Sequence, residues 1–208
     1  MTEAVEVARN AGRQPGDKRE VIVAAALRCF DREGFHRASM SMVIEEAGVS
    51  AGTVYRYFSS KTDLIRACAE EVLSEVHTTL GDMVVAQGTP DVQTIVTSFL
   101  RSALDAGSRH GADLTRVGVS VWAECLRDPV LCAHVRSLYL ELRGGMVQIA
   151  RRWQDEGLLA DTDPEHVAQA LFGAMPGFVV QHLVLGDVDP GGYAAGLEAL
   201  GAVARGSD

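Results

Sequence analysis

The chain has 208 residues, of which 47% are hydrophobic and 23% are charged, as is typical of a soluble globular protein. This length allows one or two helical domains with a buried core. No uninterrupted apolar run reaches the roughly 18 residues of a membrane span, and the N-terminus lacks the basic and apolar blocks of a signal peptide. We therefore expect a cytoplasmic protein with no membrane partner.

The formal net charge of -9 is unevenly distributed along the chain. Residues 1–66 hold ten basic and nine acidic side chains, whereas residues 67–208 hold nine basic and nineteen acidic ones. Binding to phosphate requires local positive groups, not a basic protein as a whole. The asymmetry therefore predicts two parts with different partners and does not exclude nucleic acid at the N-terminal part.

The N-terminal part begins with a polar stretch, residues 1–16, which we expect to be a flexible arm. Asp17 is a candidate N-cap for a first amphipathic helix, and Gly34 is its expected end. The stretch 39–63 follows, with the sequence SMSMVIEEAGVSAGTVYRYFSSKTD. In it Ser39 caps a short helix, Gly48 supplies a positive φ for a tight turn, and Ser50 caps another short helix. This pattern predicts a helix-turn-helix.

The two faces of the third predicted helix differ in character. Val54 and Phe58 are four residues apart and should face the core, which leaves Thr53, Arg56 and Tyr57 pointing outward. Aromatic and Arg side chains on one short helix suit a polar, anionic groove. Ser60 and Asp63 form a capping box for a long fourth helix, so that Lys61 lies at a helix N-terminus, where a phosphate is favoured.

Five further helical patterns follow, each opened by Pro, Asp or Leu near residues 90, 114, 129, 164 and 190. Together with the first four they predict an all-α fold of about nine helices. The eighth is apolar on nearly every side, so its second face needs a partner, and a second subunit satisfies that need. We place the dimer interface on small and apolar residues of the last two helices: Gly173, Ala174, Gly177, Gln181, Tyr193, Leu197 and Leu200.

The run from residue 30 to residue 64 resembles the N-terminal domain of the tetracycline-repressor (TetR) family. The resemblance depends on residues whose order and spacing are specific: Gly34-Phe35, Ala47-Gly48-Val49-Ser50, Gly52-Thr53-Val54-Tyr55, Tyr57-Phe58, Lys61 and Leu64. It covers approximately residues 18–66; beyond them only the number and lengths of the helices agree.

The resemblance implies a homodimeric transcriptional regulator, most often a repressor, that binds palindromic double-stranded operator DNA and is released by a small effector. It also implies a flexible arm at 1–16, a DNA-binding domain at 17–63, and a ligand-binding and dimerisation domain at 64–208. The positions that match the family's DNA contacts, with one possible addition at Ser41, are Ser39, Met40, Ser41, Ser50, Gly52, Thr53, Tyr55, Arg56, Tyr57 and Lys61.

The effector site is expected between the fifth and eighth helices, and a largely apolar effector fits the side chains there. The mid-helix Pro176 removes a backbone hydrogen bond and predicts a cavity beside it. The candidate wall residues are Phe99, Ala103, Trp122, Cys125, Leu142, Met146, Phe172, Met175 and Phe178. The polar groups that could orient a ligand are Arg116, Glu124, His134, Gln148, Gln181 and His182.

Other functions are less consistent with the sequence. It has no nucleophile elbow, phosphate-binding loop, zinc-ligand spacing or carboxylate pair tied to a base, so we predict no enzyme, no metal and no cofactor. A helix-turn-helix adaptor acting through protein contacts without DNA remains the alternative. The four cysteines form no CxxC pair and are expected to be free thiols, although a redox-sensing pair stays open.

Overall fold

The computed structural model describes residues 15–203, with side chains described for residues 18–201. Over that range the chain forms nine α-helices and no β-strand, which confirms the predicted all-α fold of about nine helices. The helices are α1 (Pro15–Arg37), α2 (Met40–Ala47), α3 (Ala51–Tyr57), α4 (Lys61–Val85), α5 (Val92–His110), α6 (Leu114–Cys125), α7 (Pro129–Asp155), α8 (Pro164–Val184) and α9 (Pro190–Val203).

Two helix starts differ from the predicted ones. The arm at 1–16 lies outside the described residues except for its last two, which already belong to α1, so that helix begins at Pro15 instead of after Asp17. Proline fits the first turn of a helix because its missing N–H would have no partner there. Helix α5 begins at Val92 and not at Pro90; its cap is Asp91, whose carboxylate accepts a hydrogen bond from the Thr94 amide at 2.7 Å.

The N-terminal helices α1 to α3 enclose one hydrophobic core. Ile22, Leu27 and Val43 are fully buried in it. Val54 of α3 and Phe58, the residue that follows α3, are also buried there, in agreement with the predicted inner face. Buried residues from α4 to α7 complete the same core. Helices α1 to α3 therefore do not have a hydrophobic core of their own. The predicted domain boundary between residues 63 and 64 remains a prediction about function.

The 25-residue α4 belongs to both halves of the molecule. At about 1.5 Å per residue it extends roughly 37 Å. Leu64 and Cys68 are buried in the first core, whereas Val76 and Leu80 are buried in a second core formed with α5, α7, α8 and α9. A rod of this length connects the two cores without a hinge between them.

Both ends of α4 are held by side chains. At the N-terminus the predicted capping box of Ser60 and Asp63 is present. At the C-terminus the guanidinium of Arg152 in α7 donates to the backbone carbonyls of Met83 and Val84, at 3.3 and 3.2 Å, and to that of Ala86 at 3.1 Å. These bonds satisfy carbonyls that a helix end leaves unpaired.

Two glycines within helices test how tightly the helices pack around them. A methyl group at Gly107 in α5 would lie 2.6 Å from the carbonyl oxygen of Ala112, whereas one at Gly144 in α7 would meet no atom within 4 Å. We predict that Gly107→Ala lowers the free energy of unfolding by about 1–3 kcal/mol through overpacking. Gly144→Ala should raise it by up to about 1 kcal/mol, because alanine is the better helix former. Urea unfolding followed by circular dichroism measures both, and effects of the same sign would contradict the difference in packing.

Candidate nucleic-acid interface and internal cavity

The turn between α2 and α3 has the geometry that the sequence predicts. Ser39 caps α2 by accepting a hydrogen bond from the Met42 amide at 3.3 Å, and Ser50 caps α3 by accepting one from the Thr53 amide at 3.2 Å. Between them Gly48 adopts the left-handed conformation, with φ of 62°, and donates its N–H to the Glu45 carbonyl. A non-glycine residue would be strained at this φ.

Helix α3 carries five of the ten predicted DNA-binding residues. Tyr55 is 51% exposed, and Gly52 and Arg56 are also exposed. Tyr57 is half-buried and packs partly against the first core, with the Arg56 guanidinium 5.2 Å from the centre of its ring. The half-buried Thr53 shares a side-chain hydrogen bond of 2.9 Å with Ser50.

The remaining predicted contacts lie next to this face. Ser41 is exposed and its hydroxyl lies 2.8 Å from that of the half-buried Ser39, while Met40 is half-buried against the first core. Lys61 is half-buried at the first position of α4, and its ammonium donates to the His36 carbonyl at the end of α1, at 3.4 Å. This bond, which the sequence pattern did not predict, ties Lys61 to α1 and restricts its reach.

Charges in the N-terminal part are largely paired within the chain. Arg28 binds Glu46 at 2.7 Å, and Arg32 binds both Glu46 and Glu33, at 3.5 and 3.3 Å. Arg56, in contrast, has no acidic partner among the described side chains, and neither has Lys61. The pairing of these carboxylates with arginines weakens the local negative field near α3.

The Asp63 carboxylate is stabilised in its charged form. It accepts hydrogen bonds from the Ser59 hydroxyl at 2.5 Å and from the Ser60 amide at 3.1 Å, and Arg66 lies 3.4 Å away. These contacts, the Ser59 hydroxyl first, lower the pKa of Asp63 below its usual range. The start of α4, beside the proposed recognition helix, is therefore fixed by an ionised group.

An internal cavity of about 90 Å³ lies at the centre of the C-terminal helices. Six of the nine predicted wall residues line it: Phe99, Ala103, Trp122, Leu142, Phe172 and Met175. Pro176, beside which the sequence predicts a cavity, also lines this one. Wall residues that the sequence did not predict come from α4, α5, α6, α7 and α8: Val72, Leu73, Val76, Leu100, Leu114, Thr115, Gly118, Tyr139 and Val179.

Three predicted wall residues lie elsewhere. Met146 and Phe178 are fully buried in the second core, where Phe178 packs between the rings of His182 and Tyr193, with centroid distances of 5.6 and 5.4 Å. Helical spacing identifies the residues that face inward, but it does not distinguish residues of a packed core from residues that line a cavity. Cys125 lines an open groove beside the cavity.

An open groove of about 460 Å³ lies beside the cavity and shares three aromatic wall residues with it, Trp122, Tyr139 and Phe172. The other wall residues come from α6 and α7: Cys125, Cys132, Val135, Arg136, Leu140 and Arg143. None of the six polar groups proposed to orient a ligand lines either space, because helical spacing does not give the rotation of a helix about its axis.

The cysteines do not form disulfides: all four are free thiols. Burial is the main cause that raises the pKa of the Cys29, Cys68 and Cys125 thiols. For Cys125 the neighbouring Cys132 raises it further. A raised pKa reduces the thiolate fraction at neutral pH and therefore the reactivity of these groups.

The helix α8 exposes much of its apolar surface. It is the one helix in the range 15–203 that is long and apolar enough to cross a membrane, with a mean hydropathy of 1.4, and 17% of that window is buried in the protomer. The helix does not contain an uninterrupted apolar run of that length, because polar residues such as Gln169 and Gln181 interrupt it. Val180, Val184 and Leu185 are exposed on α8 or at its end, as is Leu200 on α9.

The residues predicted for a dimer interface divide into two groups. Gly173 and Leu200 are exposed. Others join α8 to α9 inside the protomer, since the Tyr193 hydroxyl donates to the Ala174 carbonyl at 2.8 Å and a methyl group at Gly177 would meet that hydroxyl at 3.0 Å. The half-buried Gln181 donates to the Gly177 carbonyl, and the half-buried Leu197 packs against the second core.

Both the N-terminal and the C-terminal part of the chain match known protein families. Residues 22–68 match the family described as bacterial regulatory proteins, tetR family, and residues 92–200 match the BetI-type transcriptional repressor, C-terminal. The fold and these matches define a helix-turn-helix DNA-binding regulator. The chain belongs to the TetR family of transcriptional regulators and carries a BetI-type C-terminal domain, which agrees with the predictions of a regulator and of no enzyme.

Individual relatives agree with this assignment. The chain is 42% identical over 62 residues to the uncharacterized HTH-type transcriptional regulator YvdT of Bacillus subtilis, covering 30% of this chain and 32% of that one. It is 35% identical over 66 residues to the HTH-type transcriptional regulator BetI of Vibrio parahaemolyticus, covering 32% and 33%. These alignments span about a third of the relatives' length.

Solved structures match over nearly the whole chain. Salmonella enterica GusR has 25% identity and a TM-score of 0.72, with 92% of this chain and 96% of that chain covered. A putative transcriptional regulator from Pseudomonas aeruginosa PAO1 has 22% identity and a TM-score of 0.76, with 95% of each chain covered, and supports the fold alone.

The capping box at α4 predicts a pH dependence. Because the folded-state pKa of Asp63 is lowered, its contribution to stability is present above the unfolded pKa of about 4 and is lost as the pH falls through the folded pKa. We predict that Asp63→Ala lowers the free energy of unfolding by about 1 kcal/mol at pH 7. The difference from wild type should shrink as the pH falls below about 4. Urea unfolding at a series of pH values measures this.

The control is Ser60→Ala, which removes the neutral half of the same capping box. Its side chain does not titrate, so its loss of stability should persist at low pH. A difference between wild type and Asp63→Ala that is constant from pH 7 down to the acid limit would contradict the assigned role of the ionised carboxylate.

Proposed function

We propose that this regulator is a repressor that binds palindromic operator DNA as a homodimer and is released by a small, largely apolar effector. The proposal rests on which residues line the cavity. Val72 and Val76 of α4 line the cavity, and the same helix begins at Lys61 beside α3. The distance between Lys61 and Val72 along the helix is about 16 Å at 1.5 Å per residue.

This arrangement supports an allosteric link. An effector that needs more room than the empty cavity offers would displace the middle of α4, and α4 has no hinge to absorb the shift. In a dimer such a displacement changes the separation of the two α3 helices, which must match half-sites about 34 Å apart. The coupling is reciprocal, so DNA binding would weaken effector binding by the same factor.

The description of the C-terminal family as transcriptional repressors, and relatives named BetI, support repression over activation. The exposed apolar face of α8 supports a homodimer, because a second copy of this face would cover it and a two-fold dimer would read a palindrome. We infer from the same points that the apolar helix serves an interface and not a membrane, and that the protein acts in the cytoplasm.

Within the interface we assign Thr53 and Arg56 to base edges, with Arg most informative at guanine. Tyr55, Tyr57, Ser39 and Lys61 would mainly bind phosphates and set the register on the duplex. The absence of an acidic partner for Arg56 among the described side chains supports its assignment. The capped N-terminus of α4, with its positive dipole end, supports that of Lys61.

The two unpaired cations should differ in their effect on DNA binding. We predict that Lys61→Ala weakens binding about equally on all sequences and reduces the salt slope by roughly one unit, whereas Arg56→Ala relaxes sequence preference. Fluorescence anisotropy on selected and scrambled duplexes over a series of salt concentrations measures both. Arg151→Ala, an exposed charge near the end of α7, is the control and should change neither. An unchanged salt slope for Lys61→Ala would refute the phosphate contact.

The dimer interface is tested at Gly173. Gly173 is exposed and a Cβ atom at this position meets no neighbouring atom of its own protomer within 4 Å, so we expect Gly173→Leu to leave the monomer fold intact. We predict that it disrupts the dimer and abolishes operator binding, because a bulky residue separates helices that approach closely. Sedimentation velocity measures the oligomeric state, with Gly144→Leu in α7 as the control. A fully dimeric Gly173→Leu variant would exclude this interface.

A further inference from the structure

The internal cavity and the open groove have opposite chemical characters and touch each other. The cavity wall is apolar except for Thr115 and the aromatic polar tips, whereas the groove contains the guanidinium groups of Arg136 and Arg143. The described lining residues of both spaces include no Asp or Glu. A molecule that fills both spaces would therefore meet apolar surface at one end and positive charge at the other.

The two arginines lie on the same side of α7. They are seven residues apart, two helical turns, and Tyr139 lies between them at helical spacing from both. Arg136 is exposed and has no acidic partner in the part of the chain that the structure describes. Arg143 is half-buried and its Nε lies 3.4 Å from Glu165. Arg136 is therefore the group available to bind an anion, whereas the charge of Arg143 is balanced by Glu165.

A single layer of aromatic side chains separates the groove from the cavity. The indole N–H of Trp122 donates to the Tyr139 hydroxyl, and the rings of Tyr139 and Phe172 meet edge to face at 5.0 Å. Burial raises the pKa of Tyr139, so the hydroxyl is a neutral donor at physiological pH. Because Trp122 is its hydrogen-bond donor in this structure, the Tyr139 proton is available to a ligand in the groove.

We propose that the groove and the cavity form one two-part site for an amphipathic organic carboxylate. The carboxylate binds Arg136, whose planar guanidinium matches it in a bidentate manner, and also accepts a hydrogen bond from Tyr139. The apolar body of the ligand passes between the three aromatic side chains into the cavity, where it contacts α4. This inference rests on the proposed function and gives a chemical class to the effector.

The charges of the site argue against a cationic effector. Three aromatic rings around one opening are the kind of arrangement that also accepts quaternary ammonium groups. Here the guanidinium of Arg136, which has no acidic partner among the described residues, lies in the same groove, and no carboxylate in the described part of the chain lines it, so a cation would meet repulsion there. The same rings contact the apolar body of an anion equally well.

The test compares ligands that differ only in their headgroup. Octanoate, octanol and octyltrimethylammonium each contain a straight chain of eight carbons, counting the carboxyl carbon of octanoate, and end in a negative, a neutral and a positive group. Isothermal titration calorimetry on the full-length protein should show binding of octanoate at least about tenfold tighter than either of the others, the effect of a charge-assisted hydrogen bond. Butanoate should bind at least about a hundredfold more weakly than octanoate, because four methylenes are lost from the cavity.

A matched pair of variants locates the carboxylate. Arg136→Gln should weaken octanoate binding about tenfold and leave octanol binding unchanged. Arg151→Gln, which removes an exposed arginine from the same helix outside the groove, should leave both unchanged. The headgroup series on the wild type gives an answer even if a variant is unstable.

Specific outcomes would overturn the proposal. Equal affinity for octanoate and octanol, tighter binding of the ammonium compound, absence of octanoate binding, or the same octanoate affinity in Arg136→Gln and wild type would each refute it. Binding of the ligand-free protein to selected palindromic DNA is measured separately. A protein that binds such DNA but not octanoate refutes only the ligand class, whereas one that fails to bind DNA refutes the proposed repressor.

Discussion

The structure depends on α4 being held at both ends. The Ser60 and Asp63 capping box fixes its start, and Arg152 binds the carbonyls at its end. Its buried residues belong to two cores, with Leu64 in the first and Leu80 in the second. In the proposed mechanism, a helix with satisfied ends and no interior break moves as a unit, so that a displacement imposed on it at the cavity would reach the helix-turn-helix.

Electrostatics near the DNA-binding face follow from local pairing and not from net charge. The chain carries a net charge of -9, yet Glu33 and Glu46 are neutralised by arginines of α1. Arg56 and Lys61 remain without acidic partners among the described residues. A strongly acidic protein can therefore present a face that suits phosphate.

The C-terminal helices combine a filled core with an unfilled space. Met146 and Phe178 complete the packing of the second core, whereas Phe172, Met175 and Pro176 on the same α8 border the cavity. Large side chains on both sides of a cavity keep it open, since native interiors otherwise close to near-crystalline density. In the proposed homodimer, a second copy would cover the exposed apolar residues of the same helix, so that one helix would serve both packing and assembly.

The sequence by itself determined the features that depend on neighbours along the chain. The caps at Ser39, Ser50 and Ser60, the turn at Gly48 and the buried face of α3 all involve groups within about four residues of each other, so residue type and spacing are enough. The tertiary structure alone decided how distant helices rotate against one another. It placed α4 in the cavity wall, put Thr115 there instead of the expected polar groups, and joined Lys61 to α1, because the direction of a side chain relative to a remote helix depends on packing and is not encoded in local spacing.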